Sequence, residues 1–457
     1  MTDYRLRISG RHYNELRAHL FPGDGLEAAA FILCGRRNTA TGAIFLSHEV
    51  ILVPYDICDR HPNRVTWKSD VLPPILDKAK QRGFSVLKVH SHTAIYEKFS
   101  PTDDESDTEV FRAVEDWTND STPNGSLVML PTGRMFGRSS EWKQLSQVAV
   151  VGSELAFWRD QNGGNETQNP SFEANEQLFG LGTTTRLRDL RIGVVGCSGT
   201  GSVVIELLAR LGVGTLLLID HDRVERRNLN RIVNATLADV GKFKADVIKA
   251  AIESHGLDTK IEAITQNLFE PGVVQKVAEC DVVFGCMDTA EGRHLLNRLA
   301  TFYVIPYFDL GVHLSADGTG GIDEASGAVH YVESGRSSLY SRGAYGMDRV
   351  KAEGLKRTNP GEYEERRKVN YIEGVDEQAP AVISVNATIA GLAVNEFLAR
   401  LHPFRSCSSE DCTVVRYNFM ETLVVKEPES EPCEILERHL GRGDVNPPLD
   451  MPALSKQ

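Results

Sequence analysis

Hydrophobic and polar positions in the second half of the chain predict a regular series of strands and helices. Short apolar runs at 191–196, 215–220 and 280–288 have the length and composition of buried strands. The longer segments 202–212 and 244–254 carry an apolar stripe at helical spacing. This alternation predicts an α/β domain in which helices cover both faces of a parallel sheet.

The same pattern divides the rest of the chain. The first part alternates strand-like and helix-like stretches, and the polar segment 160–171 has a linker composition. The segment 380–400 predicts a strongly apolar helix, and 413–427 predicts a closing strand pair. The predicted division is a first domain at 1–150, a linker at 151–171, a second domain at 172–425 with a loose crossover region at 318–379, and a flexible tail at 426–457.

Composition narrows the class of protein. The chain has 457 residues, 41% of them hydrophobic and 25% charged, which fits a globular protein of two or three domains. We expect a cytoplasmic protein, because there is no apolar run for a membrane span or a signal peptide and the eight cysteines form no dense framework. The net charge of -13 argues against nucleic-acid binding.

Two histidines and an aspartate form the sharpest local signal in the first half. His90 and His92 are two residues apart at the end of an apolar strand, so both side chains point to one face. Asp103 follows in the first turn of a predicted helix that runs to about residue 117. Two imidazoles and one carboxylate leave the fourth position of a catalytic zinc for water, and Glu27 is the candidate base. Alternatively, Ser100 and Asp103 simply start a helix, and the histidines are ordinary buried residues.

This part of the chain resembles the JAMM (JAB/MPN) metalloprotease family, whose pattern is a distant Glu followed by HxH, seven residues, Ser, two residues and Asp. The resemblance covers about residues 1–140 and implies a mixed-sheet, cytidine-deaminase-like fold. It implies zinc ligation by His90, His92 and Asp103, with Glu27 as general base and acid. Ser100 would stabilise the tetrahedral intermediate. Many members have Pro after the second His, whereas this chain has Thr93, which we expect to alter the loop more than the metal site.

A glycine-rich loop, residues 196–202, follows a predicted buried strand and opens a helix. Asp220 ends the next strand, where an acid can bind a ribose hydroxyl. These features alone suit NAD or FAD. The cations Arg231 and Lys244 instead favour an enzyme that splits ATP into an adenylate and pyrophosphate, since they can neutralise phosphates. Asp288 can hold magnesium. Taken singly, either cation is more often a solvated helix residue.

Together these motifs resemble the ThiF/MoeB family of the ubiquitin-activating superfamily, over about residues 172–425. The resemblance implies a Rossmann-like domain, usually dimeric, that uses Mg-ATP to adenylate the C-terminal glycine of a ubiquitin-like protein. Arg231 and Asp288 would act in catalysis. The residues that would contact ATP or magnesium are Gly196, Gly199, Gly201, Asp220, Asp222, Asn228, Arg231, Lys244 and Asp288.

Two departures from the family pattern limit this resemblance. Many relatives carry an Arg before the first strand that reaches the partner subunit's ATP, but 171–180 has none, so Arg159 or Arg186 substitutes or the contact is absent. Relatives that feed a conjugating enzyme carry a nucleophilic Cys in the crossover region. Here no Cys lies between 288 and 380, and the matching stretch 333–343 offers only serines. The remaining candidates are Cys407, Cys412 and Cys433.

The leading hypothesis is therefore an enzyme that processes and activates a ubiquitin-like protein, with zinc in one domain and Mg-ATP in the other. Prokaryotic fusions of this kind are linked to ubiquitin-like conjugation in phage defence, with a conjugating-enzyme-like protein as a possible partner. A related alternative is sulfur-carrier activation for cofactor or cysteine synthesis. Alternatives of another class are an NAD(P)-dependent oxidoreductase with an appended metal domain and a non-catalytic scaffold.

Overall fold

The computed structural model describes residues 2–119, 121–159, 169–368 and 380–455. These residues fall into two compact units. The first unit comprises the described residues of Met1–Glu166, Thr301–Val304 and Arg438–Asp450, and the second comprises those of Thr167–Ala300, Ile305–Glu437 and Met451–Gln457. None of the described helices is long and apolar enough to cross a bilayer.

The first unit is built on an eight-stranded mixed sheet with strand order β10-β9-β1-β3-β2-β6-β7-β8. Its elements, in chain order, are β1 (Asp3–Ser9), α1 (Gly10–Leu20), β2 (Ala29–Thr39), β3 (Gly42–Leu52), β4 (Cys58–His61), β5 (Arg64–Trp67), α2 (Leu72–Arg82), β6 (Ser85–Ser91), α3 (Pro101–Thr118), β7 (Gly125–Met129), β8 (Met135–Ser139), β9 (Leu145–Val151) and β10 (Leu155–Arg159). The predicted boundary at residue 150 thus falls within this sheet, because β10 pairs antiparallel with β9.

Strand β2 has an apolar core on each of its faces. Ala30 and Ile32 face the core that α1 helps to cover, whereas Phe31 and Leu33 face the core under α2 and α3. A strand buried on both faces reads as a continuous apolar run, which explains the sequence pattern at this point. The neighbouring strand β6 is buried at every residue and ends at the predicted metal site.

The chain after residue 437 completes the first unit. Strand β6 pairs with β2 only as far as Cys34, and beyond that point Gly443 forms a parallel bridge with Arg36. Gly443 has φ +65°, and a Cβ there would lie 2.1 Å from the Arg36 carbonyl oxygen, so glycine permits this close approach. Residues 438–444 of the predicted tail 426–457 thus lie along an open edge of β2 and form backbone hydrogen bonds with it.

The elements from residue 170 onward follow the predicted α/β order, and the apolar helix and closing strand pair are confirmed as α12 and β17–β18. They are α4 (Glu173–Phe179), α5 (Leu181–Asp189), β11 (Arg191–Val195), α6 (Gly199–Arg210), β12 (Thr215–Ile219), α7 (Lys244–Ser254), β13 (Lys260–Ile264), α8 (Pro271–Ala278), β14 (Val282–Gly285), α9 (Ala290–Tyr303), β15 (Tyr307–Ala316), β16 (Ile322–Val332), α10 (Met347–Thr358), α11 (Pro360–Lys368), α12 (Ile383–Leu401), β17 (Val414–Asn418), β18 (Leu423–Glu427) and α13 (Glu434–Glu437).

The sheet of the second unit has strand order β13-β12-β11-β14-β15-β16-β17-β18. Its first five strands are parallel, and the last three add antiparallel pairs, so the expected parallel sheet is mixed. The region 318–379, predicted to be loose, contains β16, α10 and α11, while its residues 369–379 lie outside the described part. Residues 160–168 of the predicted linker also lie outside it.

Candidate functional sites

The predicted zinc ligands meet where β6 ends and α3 begins. The Nε2 atom of His90 lies 3.0 Å from Oδ1 of Asp103, and Nε2 of His92 lies 3.5 Å from Oδ2. One possible ligand atom from each of the three residues lies within 4.8 Å of the other two. The spacing of the histidines along a strand and the start of the helix together produce this cluster, as the sequence predicted.

His90 is the more deeply buried of the two histidines in this cluster. Neither ring nitrogen of His90 makes a hydrogen bond to a described residue, although Nε2 lies 3.0 Å from Oδ1 of Asp103. Burial lowers the pKa of His90, which favours the neutral imidazole that ligates metals. A buried polar atom without a partner is costly, so these atoms point to a ligand that is a cation.

His92 and Asp103 are each oriented by a neighbouring group. The Nδ1 atom of His92 lies 3.0 Å from the carbonyl oxygen of Tyr96; donation to that oxygen leaves Nε2 with a lone pair for a metal. Ser100 donates to Oδ2 of Asp103 from its backbone nitrogen at 2.7 Å and from Oγ at 2.8 Å. Burial alone would raise the pKa of Asp103, but the two imidazoles hold it well below its usual range.

The helix-start interpretation of Ser100 and Asp103 also holds, because the two residues form a reciprocal capping box. The two interpretations are therefore compatible: the cap fixes the carboxylate that faces the histidines. Thr93 donates from Oγ1 to the carbonyl oxygen of Pro62 at 2.6 Å.

Glu27 lies beside the same cluster. The β2–β6 register pairs Ala29 with His90, and hydrogen bonds between Ala28 and Ser91 continue it, so Glu27 comes opposite His92. Burial raises the pKa of Glu27 to about 7, with a further rise from the negative charge of Asp103 and an opposing effect of His92. A carboxyl group with a pKa near neutrality can both accept and return a proton.

An ion cluster that the sequence analysis missed fixes helix α3 against β6. Lys88, two residues before His90, forms an ion pair with Asp107, one helical turn after Asp103. Arg138 of β8 donates to the same carboxylate at 2.7 and 2.9 Å. Asp107 is fully buried and Lys88 is 2% exposed. A lysine within an otherwise apolar strand was the available signal.

In the second unit, the predicted glycine loop joins β11 to α6, and α6 begins at Gly199. The Oδ2 atom of Asp220 accepts a hydrogen bond from the Cys197 backbone nitrogen at 2.7 Å, which ties the loop to the end of β12. Lys244 donates to Asp222 at 2.8 Å. Burial alone would raise the pKa of Asp222, but Lys244 lowers it below the usual range.

The other predicted nucleotide-site residues arrive from separate segments. The Cδ atom of Arg231 would lie 3.3 Å from a Cβ on Gly199. Asn228 is buried, and its Oδ1 accepts from the backbone nitrogen of Glu225. Asp288 is exposed and follows β14 by three residues. Cys286, the first residue after β14, donates a backbone hydrogen bond to the carbonyl oxygen of Val195, just before the loop. The structure thus assembles the loop, Asp220, Asp222, Lys244 and Arg231 at the carboxyl end of the sheet.

Asn386 on α12 is a further residue at this loop that the sequence analysis missed. A Cβ on Gly199 would lie 2.1 Å from its Nδ2 atom, so the amide packs directly on the start of α6. Asn386 is 5% exposed, and its side chain makes no hydrogen bond to any described residue. No sequence signal marked it, because it is far from the loop along the chain.

The candidate nucleophiles are placed unfavourably for the nucleotide site. Arg400 donates to the carbonyl oxygens of Ser409 and Cys412, which holds Cys407 and Cys412 at the end of α12 opposite to Asn386. The helix between Asn386 and its end spans about 22 Å. Cys433 is buried, and so are the serines 334, 337 and 338 of the stretch that matches the family's nucleophile region.

A parallel sheet with a glycine loop at a helix start and an acid at the end of the next strand defines a Rossmann-type nucleotide-binding domain. A model of the ThiF family matches residues 172–433, which is more than half of the chain. The chain therefore belongs to the ThiF family.

Known proteins similar to this chain match it over limited regions. The SAMP-activating enzyme E1 of Haloferax volcanii is 38% identical over 121 residues, which are 26% of this chain and 45% of that protein. Ubiquitin-like modifier-activating enzyme 5 of Bombyx mori is 28% identical over 167 residues, 34% of this chain and 40% of that protein. The chain spans less than half the length of these curated relatives. The crystal structure of E. coli MccB with MccA-N7isoASN covers 59% of this chain at 18% identity and a TM-score of 0.47.

Proposed function

We propose that the first unit is a JAMM-type zinc hydrolase that cleaves peptide or isopeptide bonds. The observation that carries this proposal is the cluster of His90, His92 and Asp103, in which the buried imidazole of His90 has no hydrogen-bonding partner among the residues that the structure describes. These three side chains would hold zinc, which supplies a bound water with a pKa near 7. Three protein ligands leave the open position that distinguishes a catalytic zinc site from a structural one.

Glu27 would move the protons of this reaction. Its carboxylate would accept a proton from the attacking water and then donate it to the leaving amine, which requires a pKa near neutrality. Ser100 caps the start of α3, and its hydroxyl donates to the carboxylate of Asp103. Stabilisation of the tetrahedral intermediate by Ser100 remains a prediction.

For the second unit we propose adenylation of a protein's C-terminal carboxylate. A carboxylate oxygen attacks the α-phosphorus of ATP, the bond to the β-phosphate oxygen breaks, and pyrophosphate leaves. The loop amides at the start of α6 would hold phosphate oxygens, Arg231 and Lys244 would neutralise their charge, and Asp220 would bind the ribose. Asp288 would hold magnesium. Membership in the ThiF family supports this assignment.

The proposed substrate is a ubiquitin-like protein that ends in glycine, because relatives of this domain are named as activating enzymes for SAMP and for a ubiquitin-like modifier. Both proposed reactions act on the same flexible tail: hydrolysis exposes the terminal glycine or releases it from a target, and adenylation activates it. A homodimer, a conjugating-enzyme partner and a role in phage defence belong to this proposal. A sulfur-carrier substrate is the second candidate, favoured by the absence of a cysteine between residues 288 and 380 of the sequence.

Pyrophosphate exchange into ATP, with candidate small proteins ending in Gly, tests the second unit. We expect exchange in the wild type and its loss in Arg231→Ala and Asp288→Ala. The exposed Arg226→Ala serves as the matched control and should retain exchange. Unchanged exchange in both site variants would exclude the assignment, and nicotinamide binding without exchange would favour the oxidoreductase alternative.

Cleavage of a fusion in which a peptide follows the terminal glycine tests the first unit. We expect Glu27→Gln to retain zinc but lose cleavage, because the base is removed and the ligands are not. Purified wild-type protein that contains no zinc and does not cleave the fusion would favour the scaffold alternative.

A further inference from the structure

The first unit contains a cavity that neither proposed reaction uses. It has a volume of about 640 Å³ and lies between the open end of β2, the end of α2 and the segment 438–445. Its walls include four arginines and two histidines. The basic residues are Arg36, Arg82, Arg438, Arg442, His48 and His439. In a chain with a net charge of -13, this is a local concentration of positive charge.

Two of these arginines donate to ring nitrogens of histidines. Nδ1 of His48 lies 2.6 Å from the carbonyl oxygen of Leu440, and donation to that oxygen leaves Nε2 to accept from Arg82 at 3.1 Å. Arg438 in turn donates to Nε2 of His439 at 3.2 Å. Burial lowers the pKa of His48, consistent with a neutral acceptor. Histidine acceptors orient both guanidinium groups without cancelling their charge.

The nearby carboxylates are already engaged elsewhere. Asp444 accepts hydrogen bonds from the Asn38 backbone nitrogen, from Arg37 and from the Tyr303 hydroxyl. Asp450 pairs with Arg442 and with His439. Within the described part of the chain, no carboxylate forms an ion pair with Arg82 or Arg438. Their charge therefore remains available to a ligand in the cavity.

One wall of the cavity is aromatic. The rings of His48 and Phe84 pack with centroids 4.6 Å apart. A cavity of this volume is in the range of small-molecule sites, and guanidinium groups match phosphate oxygens in a two-pronged geometry. We propose that this cavity binds a small phosphorylated molecule of nucleotide size, held by Arg82 and Arg438. The site is independent of both proposed reactions.

Calorimetric titration of the full chain with inorganic pyrophosphate tests this proposal. The titration uses metal-free buffer and a Lys244→Ala background, which weakens binding at the glycine loop. We expect binding in this background and at least tenfold weaker binding when Arg82→Gln and Arg438→Gln are added. Arg112→Gln, an exposed arginine on α3, is the matched control and should bind as the background does. The tenfold loss corresponds to about 1.4 kcal/mol.

Hydrogen exchange then locates the site. Pyrophosphate should protect peptides that cover 81–85 and 438–445, and the protection should disappear in the double variant. Equal affinity of the background and the double variant would overturn the proposal, as would protection confined to the glycine loop. A tryptophan fluorescence transition in denaturant that equals that of the background shows that the first unit is folded, since all four tryptophans lie in this unit.

Discussion

The His90 cluster of the first unit comes from one strand and the helix that follows it, whereas the glycine-loop site of the second unit draws on segments from Gly196 to Asn386. In the His90 cluster both histidines are buried, and hydrogen bonds to Tyr96 and Ser100 fix His92 and Asp103. At the glycine loop, Asp288 is exposed and Lys244 is paired with Asp222. The two candidate sites therefore differ in preparation for a ligand. The side chains of the His90 cluster are already oriented by their neighbours, whereas Lys244 would have to leave Asp222 in order to contact a phosphate.

The largest expected effect concerns the ion cluster beneath the metal site. Lys88→Met should lower the free energy of unfolding of the first unit by about 3–5 kcal/mol, because it leaves a buried carboxylate with one partner fewer. Tryptophan fluorescence in denaturant measures this unit alone, since the four tryptophans lie at 67, 117, 142 and 158. Lys78→Met removes a partly exposed pair with Glu49 and should cost at most about 1 kcal/mol. Equal losses in both variants would contradict a special role for the cluster.

The second largest expected effect concerns zinc binding by the His90 cluster. Asp103→Asn should weaken zinc binding more than about 100-fold, because loss of a ligand exceeds the 10- to 100-fold cost of losing a supporting group. Zinc content after dialysis against a weak chelator measures it. Glu105→Gln, exposed on the same helix, should retain zinc. ATP binding should be unchanged in both variants; a parallel loss of ATP binding would indicate general unfolding.

A smaller effect is expected at the glycine-loop site, where Asn386 packs on Gly199. We expect the buried Asn386 amide, which has no hydrogen-bonding partner among the described residues, to bind the nucleotide at the loop. Asn386→Leu should therefore weaken ATP binding about tenfold, because such a bond is worth about 1 kcal/mol or somewhat more. Equilibrium dialysis with labelled ATP provides the measurement. Thr388→Val, at an exposed position two residues further along α12, is the control. Full affinity in Asn386→Leu would show that the amide only packs against Gly199.

The smallest effect concerns the cysteines. Cys407→Ser should leave pyrophosphate exchange within about twofold, because this residue lies near one end of α12 and the loop contacts Asn386, about 22 Å of helix away. Hydrogen bonds from Cys412 and then from Lys426 lower the pKa of Cys407, so iodoacetamide should label it before Cys58, whose pKa burial raises. Peptide mass spectrometry distinguishes the two sites. Loss of exchange in Cys407→Ser would show that the cysteine acts at the nucleotide site.

The sequence was most informative where interacting residues are near each other along the chain. His90 and His92 share a strand face and Asp103 starts the next helix, so spacing alone predicted their meeting. The packing of Asn386 on Gly199 depends on how α12 returns to the sheet, which no local pattern encodes. The partnership of Lys88 with Asp107 and Arg138 also depends on tertiary packing, as does the pairing of residues 438–444 with β2.

That last pairing has a consequence for how the protein is made. The first unit is translated early, but its β2 edge stays open until residues 438–444 emerge from the ribosome. At ordinary rates of synthesis the delay is tens of seconds, during which an unpaired strand edge is exposed to other chains. Stalled or truncated translation products should therefore aggregate through this edge, and a chaperone that covers it would protect them.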